Sequence, residues 1–118
     1  MTGKIIEAAM RVHSELGPGL LESAYEASLL FELHDSGLAA VAQVELPVVY
    51  RGVNIDVGYR IDLLVEDTVV VELKAVQELH PIHEAQLISY LKLSGKKVGL
   101  LINFNVEHLR DGIKRMVH

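Results

Sequence analysis

The chain has 118 residues, half of them hydrophobic and 23% charged, which fits one packed domain and speaks against most multidomain enzymes and a disordered chain. It contains no cysteine, so a disulfide framework, a thiolate zinc site and a cysteine nucleophile are excluded. Eleven basic residues against sixteen acidic ones give a net charge of −5. That balance counts against nucleic-acid binding by bulk electrostatics alone, although carboxylates gathered on a divalent cation would offset part of it.

Lys4, Glu7, Arg11 and Glu15 interrupt residues 1–20, so no signal peptide is expected, and no apolar run is long enough for a membrane span. The expectation is a soluble, cytoplasmic protein. Thr2 is a candidate cap for a first helix in which Ile5, Ala9, Val12 and Leu16 recur at near-helical spacing, ended by Gly17-Pro18-Gly19. A second helix starts at about residue 20, with Leu21, Ala24, Leu29 and Leu33 inward and Gly37 as a left-handed terminator.

From Val41 the period changes to two. Val44, Leu46, Val48 and Tyr50 alternate with Gln43, Glu45, Pro47 and Val49, as in a strand, and residues 51–54 read as a turn. In the next strand Ile55, Val57, Tyr59, Ile61, Leu63 and Val65 are expected on one face, with Asp62 among the residues of the other. Glu66-Asp67-Thr68 is a polar turn, and Val69 to Ala75 is a third strand, apolar except for Glu72 and Lys74. A three-residue turn makes Val65 face Val69, and the antiparallel register then sets Asp62 opposite Glu72, about 5 Å apart at Cβ.

Pro81 suits the first turn of a third helix that ends near Gly95. Val98 to Phe104 is a fourth strand, apolar enough to be buried on both faces. A last helix is expected from about Val106, with Leu109, Ile113 and Met116 inward. The predicted order is ααβββαβα: an α/β sandwich around a mixed central sheet of about four strands.

Two acids facing each other in apolar strands repel and lose hydration, so something must compensate. A divalent cation does so directly, because Mg²⁺ takes a few carboxylate oxygens, keeps several waters and bridges to phosphate. Lys74, one side-chain period beyond Glu72, adds a positive charge beside them. The competing reading is internal pairing, Lys74 with Glu72 and Asp62 with Arg60 or a helix residue. His80 and His83 lack the H-E-x-x-H spacing of two ligands and a base on one helical face, so capping or surface exposure is expected of them. No aromatic series stands out as a base-stacking platform.

Asp62 followed by Glu72-Leu73-Lys74 resembles the active-site signature of the PD-(D/E)XK nucleases. Gln86-Leu87-Ile88-Ser89-Tyr90 resembles the QxxxY element that follows the catalytic strands in RecB-like members, and Gly19-Leu20-Leu21-Glu22-Ser23-Ala24-Tyr25 matches the motif that names the GxxExxY family. With the strands at residues 60–65 and 99–104, the resemblance covers nearly the whole chain. Ile61 stands where the nominal signature has proline.

The resemblance implies a restriction-endonuclease-like fold and metal-dependent hydrolysis of nucleic acid, with DNA the expected substrate and RNA open. It assigns Mg²⁺ or Mn²⁺ to Asp62, Glu72 and the backbone carbonyl of Leu73, with Glu22 as a direct or outer ligand. Lys74 would help position and activate the attacking water, as a base or as an electrostatic group. Gln86 would orient Lys74 or a bound water, and Tyr90 would donate to a phosphate. The alternative is a nuclease-fold module with little or no turnover that acts as a homo-oligomer.

Overall fold

The computed structural model describes residues 1–118. Two helices, α1 (Thr2–Leu16) and α2 (Glu22–Asp35), precede the strands β1 (Ala40–Glu45), β2 (Val48–Tyr50), β3 (Val53–Ile55), β4 (Arg60–Val65) and β5 (Val69–Lys74). After these come α3 (Pro81–Ser94), β6 (Val98–Asn103), a 3₁₀ turn (Leu109–Gly112) and β7 (Ile113–Val117). Five strands form one mixed sheet in the order β1-β4-β5-β6-β7, and β2 and β3 form a separate hairpin. No helix is long and apolar enough to cross a membrane.

The sheet divides the core into two layers. Ile5, Ala9 and Val12 of α1 and Tyr25, Leu29 and Leu33 of α2 pack with Leu63, Val71 and Leu100 on one face. Leu87, Tyr90 and Leu91 of α3 pack with Ile61, Val70 and Leu101 on the other. β5 and β6 are buried almost throughout, as expected for central parallel neighbours. Helix ends follow the backbone signals: Gly37 and Gly95 lie in the left-handed region at φ 81° and 74°, and Pro81 opens α3. The first helix starts without a side-chain cap, Met1 standing at the cap position where Thr2 was expected. Leu16 and Leu21, expected inward, are exposed.

The C-terminal segment is the largest correction. Residues expected to form a helix make the 3₁₀ turn and β7, which pairs antiparallel with β6 from Val98↔Val117 to Ile102↔Ile113. The sheet therefore has five strands where about four were expected. Without β7, the outer N–H and C=O groups of β6 would be unpaired beside a buried core, a cost that outweighs a weak helical periodicity.

The chain between Val41 and Val65 is also more broken than its alternation suggests. The hairpin β2–β3 turns at Arg51-Gly52, both at positive φ, and residues 56–59 separate it from β4. Val49, Tyr50, Val53, Val57 and Tyr59 are exposed and form no continuous inward face with Ile61.

Gly112 lies tight against the end of β6. A Cβ there would collide with the Asn103 carbonyl oxygen and come within 3.2 Å of the Val106 side chain. Gly112→Ala is expected to destabilise the protein by about 1–3 kcal/mol, measured as a lower urea midpoint at unchanged m-value.

Candidate active site

The hairpin register follows the turn length. Val65 pairs with Val69, Leu64 with Val70 and Leu63 with Val71, where the backbone ladder stops. One position further on, side chains replace it. The Asp62 N–H donates to Glu72 Oε2 at 2.9 Å, and the Leu73 N–H donates to Asp62 Oδ2 at 2.8 Å. The two acids are thus cross-strand neighbours, each anchored through one oxygen to the opposing backbone.

The gap is prepared from the β1 side as well. Ala42 and Leu63 pack in the α1/α2 layer, whereas Val44 and Ile61, each two residues away, pack in the α3 layer. Strict alternation would hold each pair on one face, so both strands change faces locally, at Gln43 and at Asp62. This overturns the expectation that Ile61, Leu63 and Val65 share a face. Gln43 adopts φ 55°, a left-handed conformation that a non-glycine residue keeps only where its surroundings hold it. Its amide donates to Glu26 Oε1 at 2.5 Å.

Neither internal ion pair of the competing reading forms. Arg60 pairs with Glu45 at 3.4 Å, and the Lys74 Nζ donates to Gln86 Oε1 at 3.5 Å. No salt bridge reaches Asp62 or Glu72. The second oxygen of Glu72 accepts no hydrogen bond, and no buried side-chain oxygen lacks a partner, so that oxygen reaches solvent, while Gln43 also bears on Asp62.

Burial dominates the electrostatics. It pushes the Glu72 carboxyl up to about 8, and the neighbouring Asp62 charge adds to the rise, against the Asp62 N–H and the Lys74 charge. Asp62 is also raised by burial, opposed by the Leu73 N–H, Lys74 and Gln43. Glu26 is raised by burial, and the Gln43 hydrogen bond opposes that shift. In the chain alone, Glu72 is therefore held mostly protonated at neutral pH, a form that an added cation would displace.

The remaining residues surround this pair from both layers. On the α3 side, Gln86 and Tyr90 lie one helical turn apart, and Gln86 Nε2 donates to the Tyr90 hydroxyl at 3.3 Å. Burial raises the Tyr90 phenol, and the charges of Glu72 and Asp62 raise it further. On the α2 side, a cavity of about 160 Å³ is lined by Glu22, Ser23, Glu26, Gln43, Asp62 and Leu73. Glu22 borders Asp62 without completing a cage: no three His, Asp or Glu side chains converge as a metal site.

Tyr25 serves the scaffold. Its hydroxyl donates to the Gly17 carbonyl at 2.6 Å and accepts the Leu20 N–H at 3.1 Å, while its ring stacks on Phe104 at 4.5 Å. The tyrosine thus ties down residues 17–20 and sets where Glu22 enters α2. His80 and His83 act at the start of α3, the His80 N–H donating to His83 Nδ1 at 3.1 Å, as capping requires.

A family model described as the PD-(D/E)XK nuclease superfamily matches residues 1–116. The chain belongs to the PD-(D/E)XK nuclease superfamily. No curated protein and no solved structure matches it. Membership agrees with the mixed five-stranded sheet between helical layers, and it connects the chain to metal-dependent nucleases. Gln43 and Glu26 are the site neighbours that the signature does not announce. A glutamine in an alternating strand carries no mark of a left-handed backbone, and Glu26 is visible only as the residue one turn after Glu22.

Proposed function

We propose that the protein is a Mg²⁺- or Mn²⁺-dependent nuclease that hydrolyses phosphodiester bonds of DNA at the gap between β4 and β5. The observation that carries this reading is the facing pair Asp62, half-buried, and Glu72, buried, which form no salt bridge and have only the Lys74 charge beside them. Two carboxylates fit Mg²⁺, which keeps several waters and does not need an all-protein cage. Asp62, Glu72 and the Leu73 carbonyl would hold the ion, with Glu22 beyond them. When bound, it would polarise the phosphate and make water a stronger nucleophile at neutral pH.

The chain's own groups supply the rest. Lysine only donates, so the Gln86 oxygen faces Lys74 and the Gln86 amide nitrogen faces the Tyr90 oxygen. That arrangement fixes the Lys74 ammonium near the acids and leaves the Tyr90 proton for a phosphate oxygen. In this reading Lys74 and Tyr90 stabilise the charge that grows on the phosphoryl group, and Lys74 also orients the attacking water.

The test is cleavage of single-stranded DNA, duplex DNA and RNA with Mg²⁺, Mn²⁺ or EDTA. Metal-dependent DNA cleavage that disappears in EDTA is expected. A correctly folded protein that leaves every substrate intact would support the inactive-module alternative instead.

A further inference from the structure

We propose that Tyr59 is a stacking platform for an unpaired base of a nucleic-acid strand bound across the site. The proposal rests on the nuclease reading and adds a substrate class: single strands or frayed ends. The Tyr59 ring lies 5.9 Å from the Tyr90 ring, tilted by 48°, and the residue is 45% exposed, whereas Tyr90 is buried. Tyr90 connects through Gln86 to Lys74. A strand with its phosphate over these three residues therefore meets Tyr59 at the adjoining nucleotide.

The backbone that carries the ring is anchored. The Tyr59 carbonyl accepts the Leu46 N–H at 3.0 Å and an Arg60 guanidinium N–H at 3.1 Å, and Arg60 is itself paired with Glu45. No hydrogen bond engages the Tyr59 hydroxyl, and the residue is 45% exposed, so the ring is open to solvent in part. A backbone anchored before binding loses little entropy when a ligand stacks on the ring it carries.

Ring chemistry, not net charge, points to nucleic acid. Near Tyr59 in the chain, among residues 47–60, Arg60 is paired with Glu45, Arg51 stands without an ion pair, and the one acid is Asp56. The Asp56 carboxylate is occupied by the Gly58 N–H at 2.9 Å. An exposed aromatic ring next to the residues that would meet a phosphate matches a strand whose bases present π-faces. In a duplex those faces are covered by neighbouring bases, so Tyr59 can use them only where the strand is unpaired.

The experiment compares wild type, Tyr59→Ala, Tyr59→Leu and Tyr59→Phe by fluorescence anisotropy in Mg²⁺. The probe is a labelled oligothymidylate with cleavage-resistant phosphorothioate links, as a single strand and as a duplex. Tyr59→Ala and Tyr59→Leu should bind the single strand about tenfold more weakly, Tyr59→Phe should bind like wild type, and duplex affinity should change little. Leucine keeps the packing volume if alanine loosens the fold. Equal single-strand binding by wild type, Ala and Leu variants overturns the proposal, as does wild-type dimerisation through the hairpin with oligonucleotide affinity insensitive to Tyr59. Hydrolysis of bis(p-nitrophenyl) phosphate by wild type is measured alongside as a separate test of the nuclease reading. If wild type hydrolyses neither that ester nor DNA, the nuclease reading fails, and the binding ratios still decide the stacking proposal.

Discussion

Replacing Lys74 by alanine, or Asp62 by asparagine, is expected to lower DNA cleavage by about a hundredfold to a thousandfold, with the circular dichroism spectrum unchanged. A positioned charge acting on the reacting phosphate commonly contributes two to three orders of magnitude, and both residues act at the same centre. The fold should tolerate these changes for different reasons. Lys74 makes one long hydrogen bond and no ion pair, and the acids whose charge it favours can take up a proton when it is lost. Asparagine at position 62 keeps an oxygen to accept the Leu73 N–H that Asp62 Oδ2 now accepts. Gln86→Ala should have a smaller effect, because it removes the group that aims Lys74 and leaves the ammonium in place. A steady-state cleavage assay with the variants decides the order: Lys74 and Asp62 lowest, Gln86 intermediate.

The second large effect is on stability. An acid whose proton is held more tightly in the folded chain favours folding at low pH and loses that advantage as pH rises. Glu72 moves from an ordinary 4.5 to about 8 through burial and the nearby Asp62 charge. Between those values the folded protein binds more protons than the unfolded chain, so metal-free stability should fall from about pH 5 to about pH 8. The total is about 3–5 kcal/mol for this group, and Asp62, also raised, adds in the same direction. Glu72→Gln should flatten most of the slope, because glutamine retains an oxygen for the Asp62 N–H and has no charge to bury. Thermal unfolding in EDTA across this range measures it. At pH 8 the Gln variant should melt above wild type, and Mn²⁺ should raise the wild-type midpoint alone.

The site was more legible in the sequence than the periphery of the fold. A three-residue polar turn fixes a hairpin register, and that register alone sets Asp62 opposite Glu72; the structure has Val65 on Val69 as the turn requires. The helix α3 was equally plain, because Pro81 and Gly95 bound it and both act through backbone geometry. Residues 113–117 were ambiguous. Ile113 and Met116 are spaced as in a helix, and what makes the segment a strand is the open edge of β6, which no local window contains. Nor did alternation reveal the change of face at Gln43 and Asp62. That change opens the sheet at one position and anchors each acid on the opposing backbone, a tertiary arrangement that breaks the period from which strands are read.

Those two carboxylates acting as one cation site are the centre of the account, and Mn²⁺ titration followed by electron paramagnetic resonance tests it most directly. Wild type should bind the ion, either single variant, Asp62→Asn or Glu72→Gln, should bind it at least about tenfold more weakly, and the double variant should show none at the gap. Mn²⁺ binding that is absent from wild type, or that survives undiminished in the double variant, would contradict it.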